Sequence, residues 1–156
     1  MLTDQTLQES LNATDAPVSE ALLQTLFAEQ VKAQPQHPAV ITAEITLSYE
    51  DLLNRAQQLG HRLRQLGVQP NQLVAIAMQK GWEQVVGVLG VLMAGAAYVP
   101  IDPGLPAVRR GQLLQQGEVR VVLTQPHLQD VVLPTAESQT APIQLIVVEP
   151  LPAAPQ

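Results

Sequence analysis

The chain has no cysteine. That excludes disulfides, thiolate metal sites and a cysteine nucleophile, and it leaves the redox compartment undetermined. Aromatic residues are scarce as well: Phe27, Tyr49, Trp82 and Tyr98 make up 3% of 156 residues. A core must therefore be assembled from Leu, Val, Ile and Ala, and a hydrophobic content of 46% suffices for one domain or part of one. Positive charge is short too. Lys32, Lys80 and six arginines stand within a net charge of −6, so no cationic surface is offered to a nucleic-acid backbone. Met1 to Gln5 lack the basic start and apolar run of a secretory signal, and cytoplasmic residence is the default expectation.

Long apolar runs are nearly absent. From Gln84 to Ile101 the chain carries no charge, a length that reaches the minimum for a membrane span. Gly87, Gly90, Gly95 and Pro100 interrupt it, and Glu83 and Asp102 flank it without a basic anchor. A helix followed by a buried strand is the reading adopted, with no membrane partner.

What is present is punctuated apolar periodicity. Residues 1–18 are polar, without a clear period, and read as a linker. Ser19 is placed to cap a helix in which Leu22/Leu26 and Leu23/Phe27/Val31 recur at four-residue spacing, up to Pro35 and Pro38. Val40-Ile41 and Ile45 to Leu47 predict a β-hairpin around Ala43-Glu44. Ser48 is the expected N-cap of the next helix, with Glu50 and Asp51 in its first turn as dipole partners. Leu52, Ala56, Leu59, Leu63 and Leu66 form one stripe, and Gly67 ends it. Leu73 to Met78 is apolar without alternation, as a parallel strand covered on both faces should be. Trp82 to Ala94 predicts a central helix, Ala97 to Ile101 a strand, Ala107 to Gln116 a helix and Val119 to Thr124 a strand. The alternation implies a three-layer, mostly parallel α/β sheet with flanking helices and right-handed crossovers. The domain reading is 1–18 linker, 19–125 sheet-and-helix body, and 126–156 a proline-rich segment with one candidate strand at Ile143 to Val148 and a mobile tail from Pro150.

Chemistry-bearing patterns are few. Gly90 and Gly95 have phosphate-loop spacing, but Ala96 and Ala97 stand where Lys and Ser/Thr are needed, so helix packing accounts for the glycines better. His37, His61 and His127 lie far apart and read as solvated, outside any metal context. Asp102 follows a strand end, where α/β proteins place ligand contacts, yet capping of its own turn is the simpler role. Lys80 also follows a strand end; it can attract an anion or belong to an ordinary loop that lets Trp82 close over the core. Arg109-Arg110 reads as a solvated pair, and no Ser-His-Asp arrangement is supported. These residues yield no catalytic, cofactor-binding or metal assignment.

Two stretches carry a resemblance. Leu47-Ser48-Tyr49-Glu50-Asp51-Leu52 and Leu92-Met93-Ala94-Gly95-Ala96-Ala97-Tyr98-Val99-Pro100-Ile101-Asp102-Pro103 resemble the first two core motifs of the adenylation domains of non-ribosomal peptide synthetases, which belong to the AMP-forming ANL superfamily. Met93 departs from a usual lysine and Leu105 from a frequent tyrosine. Val121 to Thr124 continues the likeness, and Asn12 to Ala21 is similar to the linker that joins a condensation domain to an adenylation domain.

The resemblance implies the incomplete N-terminal portion of the large subdomain of an adenylate-forming enzyme. It implies a reaction of amino acid with ATP and Mg²⁺, followed by transfer to the phosphopantetheine of a carrier domain. The phosphate loop and catalytic lysine of that family have no counterpart here, so the chain is expected to bind no cofactor alone. Its expected partners are the remainder of the adenylation domain and the condensation and peptidyl carrier domains. Two other readings remain: a non-catalytic split module that completes a separate adenylating partner, and a fragment of an acyl-CoA ligase-like enzyme.

Overall fold

The computed structural model describes residues 12–13, 19–133 and 142–149. Most of the expected linker and the tail from Pro150 lie outside the described residues. Along the chain run α1 (Leu23–Ala33), β1 (Pro38–Ile41), β2 (Thr46–Ser48), α2 (Tyr49–Gln65), β3 (Leu73–Ala77), α3 (Trp82–Met93), β4 (Ala97–Pro100), α4 (Ala107–Gln116), β5 (Val121–Thr124), a 3₁₀ turn (Pro126–Leu128) and β6 (Gln144–Val147). β1 and β2 pair antiparallel as the expected hairpin. The other four strands form one parallel sheet in the order β4-β3-β5-β6, so the strand expected near Ile143 to Val148 is an edge of that same sheet.

Three layers follow from β3. Its residues are apolar on both sides: Val74 and Ile76 pack with α2, α3 and Ile146 on one face, while Ala75 and Ala77 meet Leu114 of α4, Leu128 and Val132 on the other. A strand without a polar face needs helices above and below it. Among the described residues β4 lies at an edge, where Pro100 is tolerated because no outer neighbour there requires its N–H.

Helix starts and stops obey local chemistry. Ser48 and Asp51 make a reciprocal capping box at α2: the Asp51 N–H donates to the Ser48 hydroxyl at 3.1 Å, and Asp51 Oδ2 accepts from the Ser48 N–H at 3.1 Å. At the other end, Gly67 adopts φ +82°, which lets its N–H reach the Arg64 carbonyl and the Val68 N–H reach that of Leu63. This is a Schellman stop, and the residue after the glycine is buried, as the motif favours. α3 ends the same way through Gly95, with φ +81°. Two expectations need correction. Ser19 does not cap α1; its hydroxyl accepts from the Ala21 N–H, and α1 begins after Leu22 with no side-chain cap. Leu66 leaves the apolar stripe and is 40% exposed, because it is the C-cap residue, where the helical repeat has stopped.

The uncharged run from Gln84 to Ile101 divides into α3 and β4, and no helix among the described residues is long and apolar enough to cross a membrane. Of its glycines, Gly90 serves packing. A Cβ on Gly90 would lie 2.7–3.0 Å from three side-chain atoms of Leu59, whereas one on Gly87 would make ordinary 3.6 Å contacts with Ile76, Leu123 and Met78. α2 and α3 therefore approach closely at Gly90.

Gly90→Ala is expected to lower stability by about 1–3 kcal/mol, the overpacking cost exceeding the gain in helix propensity. Gly87→Ala is expected to raise it by up to about 1 kcal/mol. Urea midpoints of the two variants check the opposite signs. The cap yields a pH dependence. The Asp51 carboxyl is held below its ordinary value chiefly by the Ser48 hydroxyl, then by the Ser48 N–H, with a smaller effect of the Arg55 charge. A depressed carboxylate stabilises the fold above the unfolded value, near pH 4, and loses that contribution as pH falls through its lower folded value. Ser48→Ala should cost about 1 kcal/mol near neutral pH, and urea titrations at lower pH should show the gap to the parent protein narrowing below about pH 4.

Candidate functional site

All four strands of the main sheet point the same way, so their carboxyl ends share one edge. After β3 the chain passes into α3 on one face; after β5 it passes through the 3₁₀ turn to Leu128 and Val132 on the other. Neighbouring strands whose continuations part in this way leave a crevice between them, the usual ligand position in open α/β sheets.

Amide side chains occupy that crevice. Gln125, next after β5, is 4% exposed; its Oε1 accepts from the Gln79 N–H at 2.8 Å, and its Nε2 donates to Glu83 of α3 at 3.2 Å. The Thr124 hydroxyl donates to the Ala77 carbonyl at 2.9 Å, tying β5 to β3 below the crevice. His127 Nε2 meets Gln79 Oε1 at 3.2 Å. Gly81 sits against this group: a Cβ there would come within 2.6 Å of Glu83 Oε2 and 3.2 Å of Gln125 Nε2. Two backbone groups at the end of β3 are thus satisfied by side chains, the Gln79 N–H by the Gln125 amide and the Ala77 carbonyl by the Thr124 hydroxyl.

The loops beside the crevice are held from below by Arg110, which is 6% exposed rather than half of a solvated pair. Its guanidinium donates to four carbonyls: Pro103 and Leu105 in the loop after β4, and Val131 and Val132 after the 3₁₀ turn. Hydropathy does not mark this role. In α4 the stripe places Leu114 inward, and position 110, one turn earlier, falls on that same inward side; only the converging carbonyls make a cation tolerable there.

The other residues singled out in the sequence do not converge. Asp102 closes its own turn, Oδ1 accepting from the Gly104 N–H at 2.8 Å. Lys80 is exposed in the loop before α3, and Trp82 is buried beside it as expected. His37 lies beside the Pro38 carbonyl and His61 beside Gln65, both exposed and remote from His127. Among the described residues no group of three or more His, Asp and Glu could hold a metal ion. The crevice does not suit a triphosphate either: the Glu83 carboxylate stands in the first turn of α3, and its charge opposes an anion at that helix end. The arrangement orders loops and strand ends through hydrogen bonds to backbone. Gln79 and Gln125 went unremarked in the sequence because an amide after a strand looks like any loop residue until its partner is known.

Arg110→Met should leave four loop carbonyls without their donor and lower stability by about 2–4 kcal/mol. Limited proteolysis is expected to show earlier cleavage in the 102–106 loop, while Arg109→Met leaves both measurements near those of the parent.

Comparison with known proteins places this geometry. The family profile described as AMP-binding enzyme matches residues 27–156. Gramicidin S synthase 2 of Aneurinibacillus migulanus is 45% identical over 106 residues, 68% of this chain and 2% of that protein. Tyrocidine synthase 3 of Brevibacillus parabrevis is 41% identical over 131 residues, 82% of this chain and again 2% of the relative. Among solved structures, the AMPPNP-bound form of the non-ribosomal peptide synthetase FmoA3 superposes with a TM-score of 0.83 at 37% identity, covering 94% of this chain and 15% of that one. A benzoate CoA ligase from Burkholderia xenovorans LB400 follows at a TM-score of 0.73 and 26% identity, with 81% and 26% covered. The chain thus spans a small part of the proteins it matches. With its parallel sheet, its two motifs and this likeness taken together, the chain belongs to the AMP-binding enzyme family and carries part of the large subdomain of a non-ribosomal peptide synthetase adenylation domain.

Proposed function

We propose that this segment is the opening scaffold of a domain that joins an amino acid carboxylate to the AMP moiety of ATP, releasing pyrophosphate, and then passes the aminoacyl group to a phosphopantetheine thiol on a carrier domain, releasing AMP. ATP with Mg²⁺ would be gripped by the remainder of the adenylation domain, and the working partners would be that remainder together with condensation and carrier domains in the cytoplasm. One observation carries the reading: at the carboxyl edge of the sheet, where such folds place ligands, the Gln125 amide is engaged with the Gln79 N–H and Glu83, and the Thr124 hydroxyl with the Ala77 carbonyl, so these side chains are committed to holding strand and helix ends together. A scaffold of this kind supports chemistry delivered from elsewhere. The higher identity to peptide synthetases than to the benzoate CoA ligase favours amino-acid activation over acyl-CoA formation.

ATP–pyrophosphate exchange with twenty amino acids tests this. The isolated chain is expected to stay at the blank rate, and a complete adenylation domain that includes the segment is expected to exchange with one amino acid or a few. Amino-acid-dependent exchange by the isolated chain would sink the scaffold reading; a complete domain inert toward every amino acid but active with an aryl or fatty acid would move the segment to the acyl-CoA ligases.

A further inference from the structure

Helix α1 buries its far end and leaves its beginning apolar and open. Val31 is buried and Phe27 packs against the α2–α3 core, yet Leu22 is 64%, Leu23 62% and Leu26 45% exposed. Leu23 and Phe27 stand one turn apart, Leu26 lies three residues past Leu23, and Leu22 four before Leu26, so the apolar surface is continuous around one flank of the helix. That flank lines a groove of about 420 Å³, together with Tyr49 and Leu52 of α2 and Val85 and Val88 of α3. Val85 is itself exposed. A contiguous uncovered apolar surface of this kind marks a binding face. The other flank of α1 is different in character: Gln24 and Thr25 border a second groove with His61 and Arg64.

The chain carries an occupant of matching chemistry directly upstream. In Leu7-Gln8-Glu9-Ser10-Leu11 the two leucines stand four residues apart, and Glu9 falls midway between them. One helical turn of this stretch would put both leucines on one side and the carboxylate on the other. Reach is no obstacle. Leu11 precedes Ser19 by eight residues, a span of at most about 28 Å, against a length of about 16 Å for the whole of α1. At Ser19 the hydroxyl accepts the Ala21 N–H at 3.1 Å, a local turn immediately before the groove's first residue, Leu23. Residues 1–18 include Asp4, Glu9 and Asp15 and no Lys or Arg, yet the second groove has little claim on them. Arg64 already donates to the Met93 carbonyl at 2.7 Å, and His61 is paired with Gln65.

We propose that the α1–α3 groove is an intramolecular docking site for the chain's own segment 7–11, with Leu7 and Leu11 set against Leu23, Phe27 and Val85 and Glu9 turned to solvent. Docking covers the apolar beginning of α1, which has no side-chain cap of its own, and fixes the direction in which the chain enters the domain. The driving force is removal of apolar surface from water, at the cost of ordering a short segment already tethered beside its site.

The absence of native cysteine lets introduced pairs report this contact without background. Gln8→Cys leaves both leucines in place and is combined with Val85→Cys in the groove or with Thr25→Cys on the opposite flank of α1. In a glutathione redox buffer the Gln8/Val85 pair should close an intramolecular disulfide about tenfold faster than the Gln8/Thr25 pair. Adding Leu7→Ser and Leu11→Ser to the first pair should remove that advantage, with circular dichroism showing the fold retained. In the cysteine-free chain the same two serine substitutions should speed amide exchange at the start of α1 several-fold. Equal closure rates for the two pairs would overturn the proposal, and faster closure to Thr25 would place the segment in the His61–Arg64 groove instead. Disulfides formed between molecules, with a dimer in sedimentation, would overturn it too and make the occupant a second copy. None of these outcomes depends on which reaction the complete domain performs, so this proposal and the functional one fail separately.

Discussion

The burial of β3 on both faces is the constraint from which the rest of the architecture descends. Val74 and Ile76 face the wider α2–α3 layer, and the small Ala75 and Ala77 face α4. Helices must then cover both sides of the sheet, and the chain must leave β3 and β5 toward opposite faces. The crevice at their carboxyl ends is a by-product of that divergence. Close approach of α2 and α3 at Gly90 and Leu59 keeps the thicker layer compact.

Several buried polar side chains in this fold satisfy backbone groups far along the chain. Gln125 bridges the ends of β3 and α3, Thr124 pins β5 to β3, and Arg110 gathers four loop carbonyls without a carboxylate. Carbonyl dipoles converging on a guanidinium meet much of the electrostatic requirement of a buried cation, and they fix loops at the ligand edge without placing reactive groups there. That division of labour agrees with a family in which one framework is shared by proteins as different as a gramicidin synthase and a benzoate CoA ligase.

Much of this was legible in the chain as written. The Ser48 cap, the four-and-three spacing from Leu52 to Leu63, the apolar run of β3 and the glycine stop before β4 are local signals, each read within a turn or two of backbone. They survive folding because the physical causes, capping hydrogen bonds, positive φ and a one-sided apolar stripe, act over short distances along the chain. The errors are equally local in origin. Ser19 has the chemistry of a cap, a serine preceding apolar periodicity, but the N-cap position is Leu22, three residues beyond it, and its hydroxyl reaches only the Ala21 N–H.

Periodicity, caps and two motifs together determined the order of elements, their parallel pairing and the family. Tertiary structure alone decided that Arg110 is buried, that Gln125 and Gln79 join across the sheet, and that Arg55 lies over Trp82 with one donor unmet. Each of those facts depends on groups tens of residues apart converging on one point. A sequence records which groups exist, whereas desolvation and hydrogen-bond satisfaction depend on what surrounds them once the sheet has closed.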